Sequence, residues 1–372
     1  MSRLWEPGAP GAAGVESGPS EGRGSGPILA VDVGAGTQDV LLYQPGLPLE
    51  GSVQLVLPAP TQVAARRIRR AARGRRAVFL CGETMGGGAV TAAVKDHLAQ
   101  GLEVYATPRA ALTLHNDPAR VEAMGVRIVE QAPPGTAVVP SGDLDLEALS
   151  AALARFEVEL PQRLAVAVQD HGYSPGQSNR RFRFERWAGF IRGGGRLLDL
   201  IQADPPECLL RMRAVQRQAP GALLMDTGAA ALWGALCDPV AREAAAEEGL
   251  VALNLGNAHL LAALVRDGRV WGVLEHHTRL VDPALIPGWV ERLRSGEVDG
   301  EEVLASGGHG AFVHPDVGRL GSGAFPLVAV TGPLRSRAEG AGYHLASPYG
   351  NQMLAGCFGL VAAAVARERE LG

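Results

Sequence analysis

Asp32, Gly34, Gly36, Thr37 and Asp39 are grouped in the stretch Ile28-Leu-Ala-Val-Asp-Val-Gly-Ala-Gly-Thr-Gln-Asp-Val-Leu-Leu-Tyr43. Two carboxylates and a hydroxyl flank a turn whose glycines open backbone N–H groups to an anion. No Cβ obstructs the approach, and φ > 0 is permitted there. A carboxylate beside such a turn can hold the hydrated Mg²⁺ that accompanies a nucleotide phosphate. An ordinary β-hairpin with a polar turn would show the same local pattern. The apolar runs on either side predict the strands that position these groups, at 28–33 and 38–43. A third strand at 51–57 completes an antiparallel meander.

A second glycine-bearing hairpin occupies residues 250–277. Its first strand ends near Asn254, Gly256 and Asn257 make the bend, and the next strand runs to Arg266. Asp267-Gly268 is a two-residue hairpin signal that opens a third strand. Pairing Arg266 with Arg269 across that turn sets His259 opposite His276 and Ala258 opposite His277, with Glu275 on the other face. Two imidazoles so placed could share a metal or a phosphate. With no third ligand in view, lining a polar cleft or bonding to each other is the simpler use.

Further candidates stand where strands end. A strand over 76–82 opens into Glu83-Thr-Met-Gly-Gly-Gly88 and a helix, either an anion or substrate loop or a tightly packed turn. The strand 163–168 runs into Gln169-Asp170-His171, and ligands meet sheets of this kind just past the strand ends. Asp170 and His171 are the candidates for acid–base work. The arginines and aromatics of 178–185 either contact an anionic substrate or begin an amphipathic helix. Asp226, after a strand at 223–226, faces the cleft or caps the next helix. Leu327-Val-Ala-Val-Thr-Gly-Pro333 is a buried strand ending in a glycine turn, and a helix rich in small residues follows Pro348.

Asp32, Gly34, Thr37 and Asp39 resemble the first phosphate motif, Asp-x-Gly-x-x-Thr-x-Asp, of the superfamily of actin, heat-shock chaperone ATPases, hexokinase and acetate kinase. Asn254, Gly256 and Asn257 resemble its second. The resemblance implies an α/β protein of two ribonuclease-H-like domains with ATP–Mg²⁺ in the cleft between them. Asp32 would organise the metal, and Gly34, Gly36, Thr37 and Asp39 would surround phosphates. Asn254, Gly256 and Asn257 would hold them from the other lobe, with Gly332 under the adenosine. Several members have Asp where this chain has Asn254. An amide binds phosphate or water but neither acts as a base nor neutralises Mg²⁺. That counts against vigorous hydrolysis more than against nucleotide binding. The expected division is a disordered leader at 1–26, an N-terminal domain at 27–220 and a C-terminal domain at 221–372.

The same stretches, with the C-terminal glycine-bearing helix, resemble a family whose members are labelled pyruvate formate-lyase activating enzymes, over most of residues 27–368. Radical-SAM activases need a CxxxCxxC loop, whereas Cys81, Cys208, Cys237 and Cys357 are scattered. Activator ATPases of 2-hydroxyacyl-CoA dehydratases share the actin-like fold and hold an iron–sulfur cluster between two subunits. Cys208 and Cys237 could imitate that arrangement, but Leu209, Leu210 and Leu236 read as core-facing neighbours.

Composition agrees. A chain of 372 residues with 47% hydrophobic content supports two cores. The net charge of −4 argues against a dedicated nucleic-acid or membrane-surface protein. Lys95 is the only lysine, which excludes a P-loop or Schiff-base role in any obvious motif. No apolar run reaches the ~18 residues of a membrane helix, and scattered cysteines fit reduced thiols in the cytoplasm. The expected partners are a nucleotide and an unidentified small molecule, and a homodimer is compatible with the chain. The expected function is an ATPase or a small-molecule phosphotransferase, with Asp170 orienting the acceptor. The alternative is a nucleotide-dependent sensor or assembly protein with little turnover, and a third reading keeps the fold without nucleotide.

Overall fold

Ile28 to Val31 are buried on both faces of their strand, as a central position between two neighbours requires. This strand, β1 (Ile28–Val33), pairs antiparallel with β2 (Thr37–Tyr43), which pairs antiparallel with β3 (Val53–Pro58). The computed structural model describes residues 26–371 apart from 322. The leader expected at 1–26 therefore lies, except for Gly26, outside the described residues.

After β3 the chain builds a separate parallel sheet from β4 (Val78–Gly82), β5 (Val104–Ala106), β6 (Val126–Ile128) and β7 (Ala137–Ser141), in the order β6-β5-β4-β7. Its core is its own: Ile68, Val78, Leu80, Val94, Val104 and Val139 pack together with the flanking helices. The chain then returns to the first sheet as β8 (Arg163–Val168), parallel to β1, and β9 (Leu223–Met225), parallel to β8.

The pattern then repeats. β10 (Leu250–Leu255), β11 (His259–Arg266) and β12 (Arg269–His277) form a second antiparallel meander, and β13 (Gly310–Val313) adds an edge to β12. β14 (Leu327–Thr331) runs parallel to β10, and β15 (His344–Leu345) parallel to β14. Both sheets thus place a meander beside two parallel strands, β3-β2-β1-β8-β9 and β12-β11-β10-β14-β15, with only the second strand reversed. This is the ribonuclease-H-like topology, present twice, and it is the two-lobed actin-like ATPase fold expected from the motifs.

The boundary expected at 220–221 does not separate the sheets. β9 lies beyond it and hydrogen-bonds to β8, with Ala165 opposite Leu223. The last helix, Ala355–Leu371, also returns to the first sheet, packing on β1, β2, β8 and the helix Thr227–Ala235. Small residues permit this crossing: a Cβ on Gly359 would overlap the carbonyl oxygen of Ala230, and one on Gly234 that of Ala355. No helix among the described residues is long and apolar enough to cross a membrane.

One register differs from expectation. Asp267 and Gly268 have φ of 51° and 70°, the positive pair that a two-residue hairpin turn demands, and Arg266 pairs with Arg269. Farther along, Val265 pairs with Val270 but Leu264 pairs with Gly272, so Trp271 is an extra residue in a β-bulge. The bulge sits where β12 changes its outer neighbour. Val270 N–H donates to Gly195 O, whereas Gly272 pairs with Val313 of β13. Beyond it His259 lies opposite His277, and Leu260 lies opposite His276. A one-residue slip exchanges the two faces of a strand, so the expected His259–His276 pairing is replaced and Glu275 joins the face of His259.

Candidate functional site

The glycine turns that follow β1 and β10 meet across the gap between the sheets. A Cβ on Gly36 would stand 3.1 Å from Asn257 Nδ2. Between them opens a cavity of about 990 Å³. Asp32, Gly34, Gly36, Thr37 and Asp39 line one side, and Asn254, Gly256 and Asn257 the other. Gly332, His171 and His259 also line it, and Gly86 to Gly88 contribute a wall from the inserted sheet. Most of the residues singled out by sequence are thus brought to one place; Glu83, Asp226 and His276 are not among its lining.

Asp32 and Asp39 are directly opposite each other on β1 and β2. Burial pushes the Asp32 carboxyl well above its usual range, and the charge of Asp39 adds to the effect. Burial likewise raises Asp39 to about 7, against a hydrogen bond from Thr37. One oxygen of each, Oδ1, is buried with no hydrogen-bond partner among the described residues. The second oxygen of Asp32 lies against the last helix, where a Cβ on Gly356 would overlap it. Unpartnered carboxylate oxygens on facing positions are the donors a hard divalent cation takes. The residues present therefore fit Mg²⁺.

Asp170 is differently employed. Its Oδ1 accepts from Gly172 N–H at 2.9 Å, and its Oδ2 accepts from the N–H groups of Arg211 and Met212 at 2.8 and 3.0 Å. It fastens the loop after β8 to the first turn of the helix Leu210–Gln218. Three backbone donors thus engage both oxygens of a carboxylate that also lines the cavity, so Asp170 anchors this loop at the edge of the site.

Asp226 and Glu83 also hold structure. Asp226 caps the helix Thr227–Ala235 through Gly228 N–H, and receives both terminal nitrogens of Arg183 at 2.8 and 2.9 Å. Arg183 belongs to the helix Asn179–Arg192 and also donates from Nε to Glu275 at 2.6 Å. The arginine-rich segment expected to meet a substrate or open a helix opens the helix, and its Asn179 and Arg183 also line the cavity. Glu83 pairs with Arg109 at 2.8 Å and Arg217 at 2.7 Å, tying the inserted sheet to the first lobe.

The histidines follow the bulge. His276 turns away from the cavity and places Nε2 3.1 Å from Ser306 Oγ, so it leaves the site. His259 and His277 share a face, and His171 reaches them from the end of β8. His309, which sequence reading did not single out, completes the group: its Nε2 stands 3.2 Å from His171 Nε2. Its one signal in sequence is the run Gly307-Gly308-His309-Gly310, in which a Cβ on Gly308 would stand 2.6 Å from His276. Burial lowers His171 well below the usual imidazole range and lowers His259 to about 4.

Residues 85–337 match the family model described as "Putative pyruvate format-lyase activating enzyme (DUF1786)". The chain belongs to that family. No curated protein matches it in sequence. Solved structures similar to it include the ethanolamine utilization protein EutJ from Carboxydothermus hydrogenoformans, at 10% identity, 90% of this chain, 88% of that one and a TM-score of 0.27. Another is the Lmo2764 protein, "a putative N-acetylmannosamine kinase", from Listeria monocytogenes, at 10% identity, 92% and 99% coverage and a TM-score of 0.33. Such scores carry no argument, and the twice-repeated strand order is what establishes the fold.

The chain carries no radical-SAM cysteine motif. Its four cysteines are free and lack the close spacing that a radical-SAM cluster requires. Cys237 is enclosed in the core, where burial pushes its thiol up to about 12. Cys357 is also buried, its Sγ 3.1 Å from Asp39 O. The pairing of Cys208 with Cys237 around a cluster therefore has no support, because a core thiol of raised pKa is a poor metal ligand.

Proposed function

We propose that the cleft binds a nucleoside triphosphate with Mg²⁺, and that the protein is an actin-like ATPase or small-molecule phosphotransferase. The observation that carries this is the meeting of the two glycine turns, Gly36 against Asn257, above the unpartnered carboxylate oxygens of Asp32 and Asp39. Asp32 and Asp39 would hold Mg²⁺, which when bound neutralises phosphate charge. Gly36 and Thr37 line the cavity from one lobe, the Gly34 N–H itself being held by Thr37 O at 2.9 Å. Asn254 offers its amide nitrogen from the other, since its Oδ1 accepts from Thr331 Oγ1 at 3.3 Å. Gly332, with φ of 95°, lies close against the end of β10, where a Cβ would stand 2.6 Å from Leu255 O, and lines the cavity where the nucleoside would sit.

A second reading, a nucleotide-dependent sensor with little turnover, has its own support. Asp170 is committed to three backbone amides, and Asn254 is not a carboxylate. Neither strand end therefore supplies a carboxylate base.

The test is a thermal-shift titration of wild type and Asp32→Ala with ATP, ADP and Mg²⁺. A ligand at a hundred times its Kd stabilises by roughly 2.7 kcal/mol. The expected result is a Mg²⁺-dependent rise in Tm that Asp32→Ala loses. Turnover of ATP only with an added acceptor would mark a phosphotransferase, and binding without turnover the sensor. No shift with any nucleotide would remove both readings.

A further inference from the structure

We infer that His171, His259 and His309 form a second metal site in this cleft, one for a transition metal of the Zn²⁺ class rather than for Mg²⁺. The inference stands on the histidines alone and does not depend on nucleotide binding.

Three separate elements deliver these imidazoles. His171 follows β8 of the first lobe, His259 opens β11 of the second, and His309 directly precedes β13. One ring nitrogen from each lies within 4.8 Å of the others. The closest two, Nε2 of His171 and of His309, are 3.2 Å apart. Two nitrogens bound at about 2.0–2.1 Å with a tetrahedral angle stand about 3.3 Å apart, so this pair already has the spacing of two ligands. The ring nitrogen of His259 lies within 4.8 Å of both.

A hydrogen bond between His171 and His309 would account for that one contact alone. It leaves Nε2 of His259 buried with no partner among the described residues. It also leaves unused the arrangement behind His309. Glu275 Oε1 lies 3.2 Å from His309 Nδ1 and accepts from Gln169 Nε2 at 2.8 Å, while Oε2 accepts from Arg183 at 2.6 Å. A carboxylate behind one ring nitrogen, with the other nitrogen turned to its neighbours, is how ligating histidines are oriented; here Glu275 stands close to His309 Nδ1, which has no hydrogen-bond partner among the described residues. Three imidazoles without a carboxylate among them select zinc, cobalt, nickel or copper over magnesium. His171, His259 and His277 line the cavity, from which a further ligand or water could reach a metal held there.

The experiment uses the full-length protein stripped with a chelator. Co²⁺ titration followed by visible absorption, and Zn²⁺ competition against it, give stoichiometry and affinity. With excess Mg²⁺ present to occupy the carboxylate pair, one equivalent is expected in wild type, weakened at least ~10-fold, the low end of the range seen when a site's supporting groups alone are removed, in His171→Ala and His259→Ala. His309→Ala serves as a third variant where circular dichroism shows it folded. Asp32→Ala and His115→Ala should each keep the equivalent, which separates this site from the carboxylate pair and from general histidine binding. Absence of a stoichiometric metal in wild type would overturn the inference. So would an equivalent that survives both His171→Ala and His259→Ala.

Discussion

The Nε of Arg183 lies 2.6 Å from Oε2 of Glu275, joining a helix between β8 and β9 of the first sheet to a strand of the second. Both side chains are almost wholly buried, at 5% and 1% exposure, and Arg183 carries Asp226 as well. Burial pushes Glu275 up, but Arg183 and His309 hold it well below the usual carboxylate range. Removing the guanidinium would strand two carboxylates away from water. Arg183→Met is expected to lose about 3–5 kcal/mol of stability in urea unfolding. Adding Glu275→Gln should recover part of it, because one uncompensated charge is gone. A single-variant loss below about 1 kcal/mol, the scale of an exposed pair, would show that solvent reaches this bridge.

Asp170 separates an anchor from a base. Asp170→Ala frees three backbone N–H groups near a buried helix start, and a lost cap alone costs about 0.5–2 kcal/mol. With three donors the loss should reach or exceed the upper end of that range. Asp170→Asn keeps one acceptor oxygen and should fall between. Nucleotide-induced thermal shifts, taken relative to each variant's own ligand-free Tm, should persist in the Asn form. A fully stable Asp170→Ala would contradict the anchoring part and return this residue to the catalytic candidates.

Much of the fold was legible because it rests on backbone pattern. Apolar runs broken at Gly34, Gly36, Gly256 and Asp267-Gly268 mark hairpins whatever surrounds them, and both meanders formed as expected. The histidine partners were not legible, because one extra residue at Trp271 inverts every side chain beyond it. That bulge is set by Gly195 and Val313 on the far edge of β12, which lie 76 and 42 positions from Trp271 and give no local sign. Asp170 was placed correctly at a strand end, yet its employment depends on the backbone of Arg211 and Met212. His309 needed the bulge to be found at all.

Two glycines of the last helix distinguish packing from site chemistry. A Cβ on Gly359 would overlap Ala230 O, and one on Gly356 would overlap Asp32 Oδ2. Overpacking typically costs about 1–3 kcal/mol, and more where the obstacle is backbone. Gly359→Ala should therefore be the less stable variant, because a backbone carbonyl cannot rotate away. Gly356→Ala meets a side chain and should lose stability less while displacing the Asp32 carboxylate. Its expected signature is a weakened Mg²⁺-dependent thermal shift in a protein that still unfolds cooperatively. Equal nucleotide responses in Gly356→Ala and wild type would remove Asp32 from the proposed cation site.

Asp39 gives the pH dependence a sign. Its folded pKa of about 7 lies above the ordinary 3.8, so the native state keeps a proton that the unfolded chain has released between those values. Its contribution to stability is complete below about pH 4 and is lost as pH rises through about 7, by up to ~4 kcal/mol in the limit of complete burial. Asp32, also raised, adds in the same direction. Without divalent cation, Tm should fall from pH 5 to pH 8 more steeply in wild type than in Asp39→Asn. Mg²⁺ binds the ionised form and should raise the wild-type Tm at pH 8 but not at pH 5. The Asn variant, with one ionisable oxygen pair removed, should show a smaller Mg²⁺ response. Parallel Tm profiles for the two proteins, with and without Mg²⁺, would mean that the facing carboxylates are solvated and hold no cation.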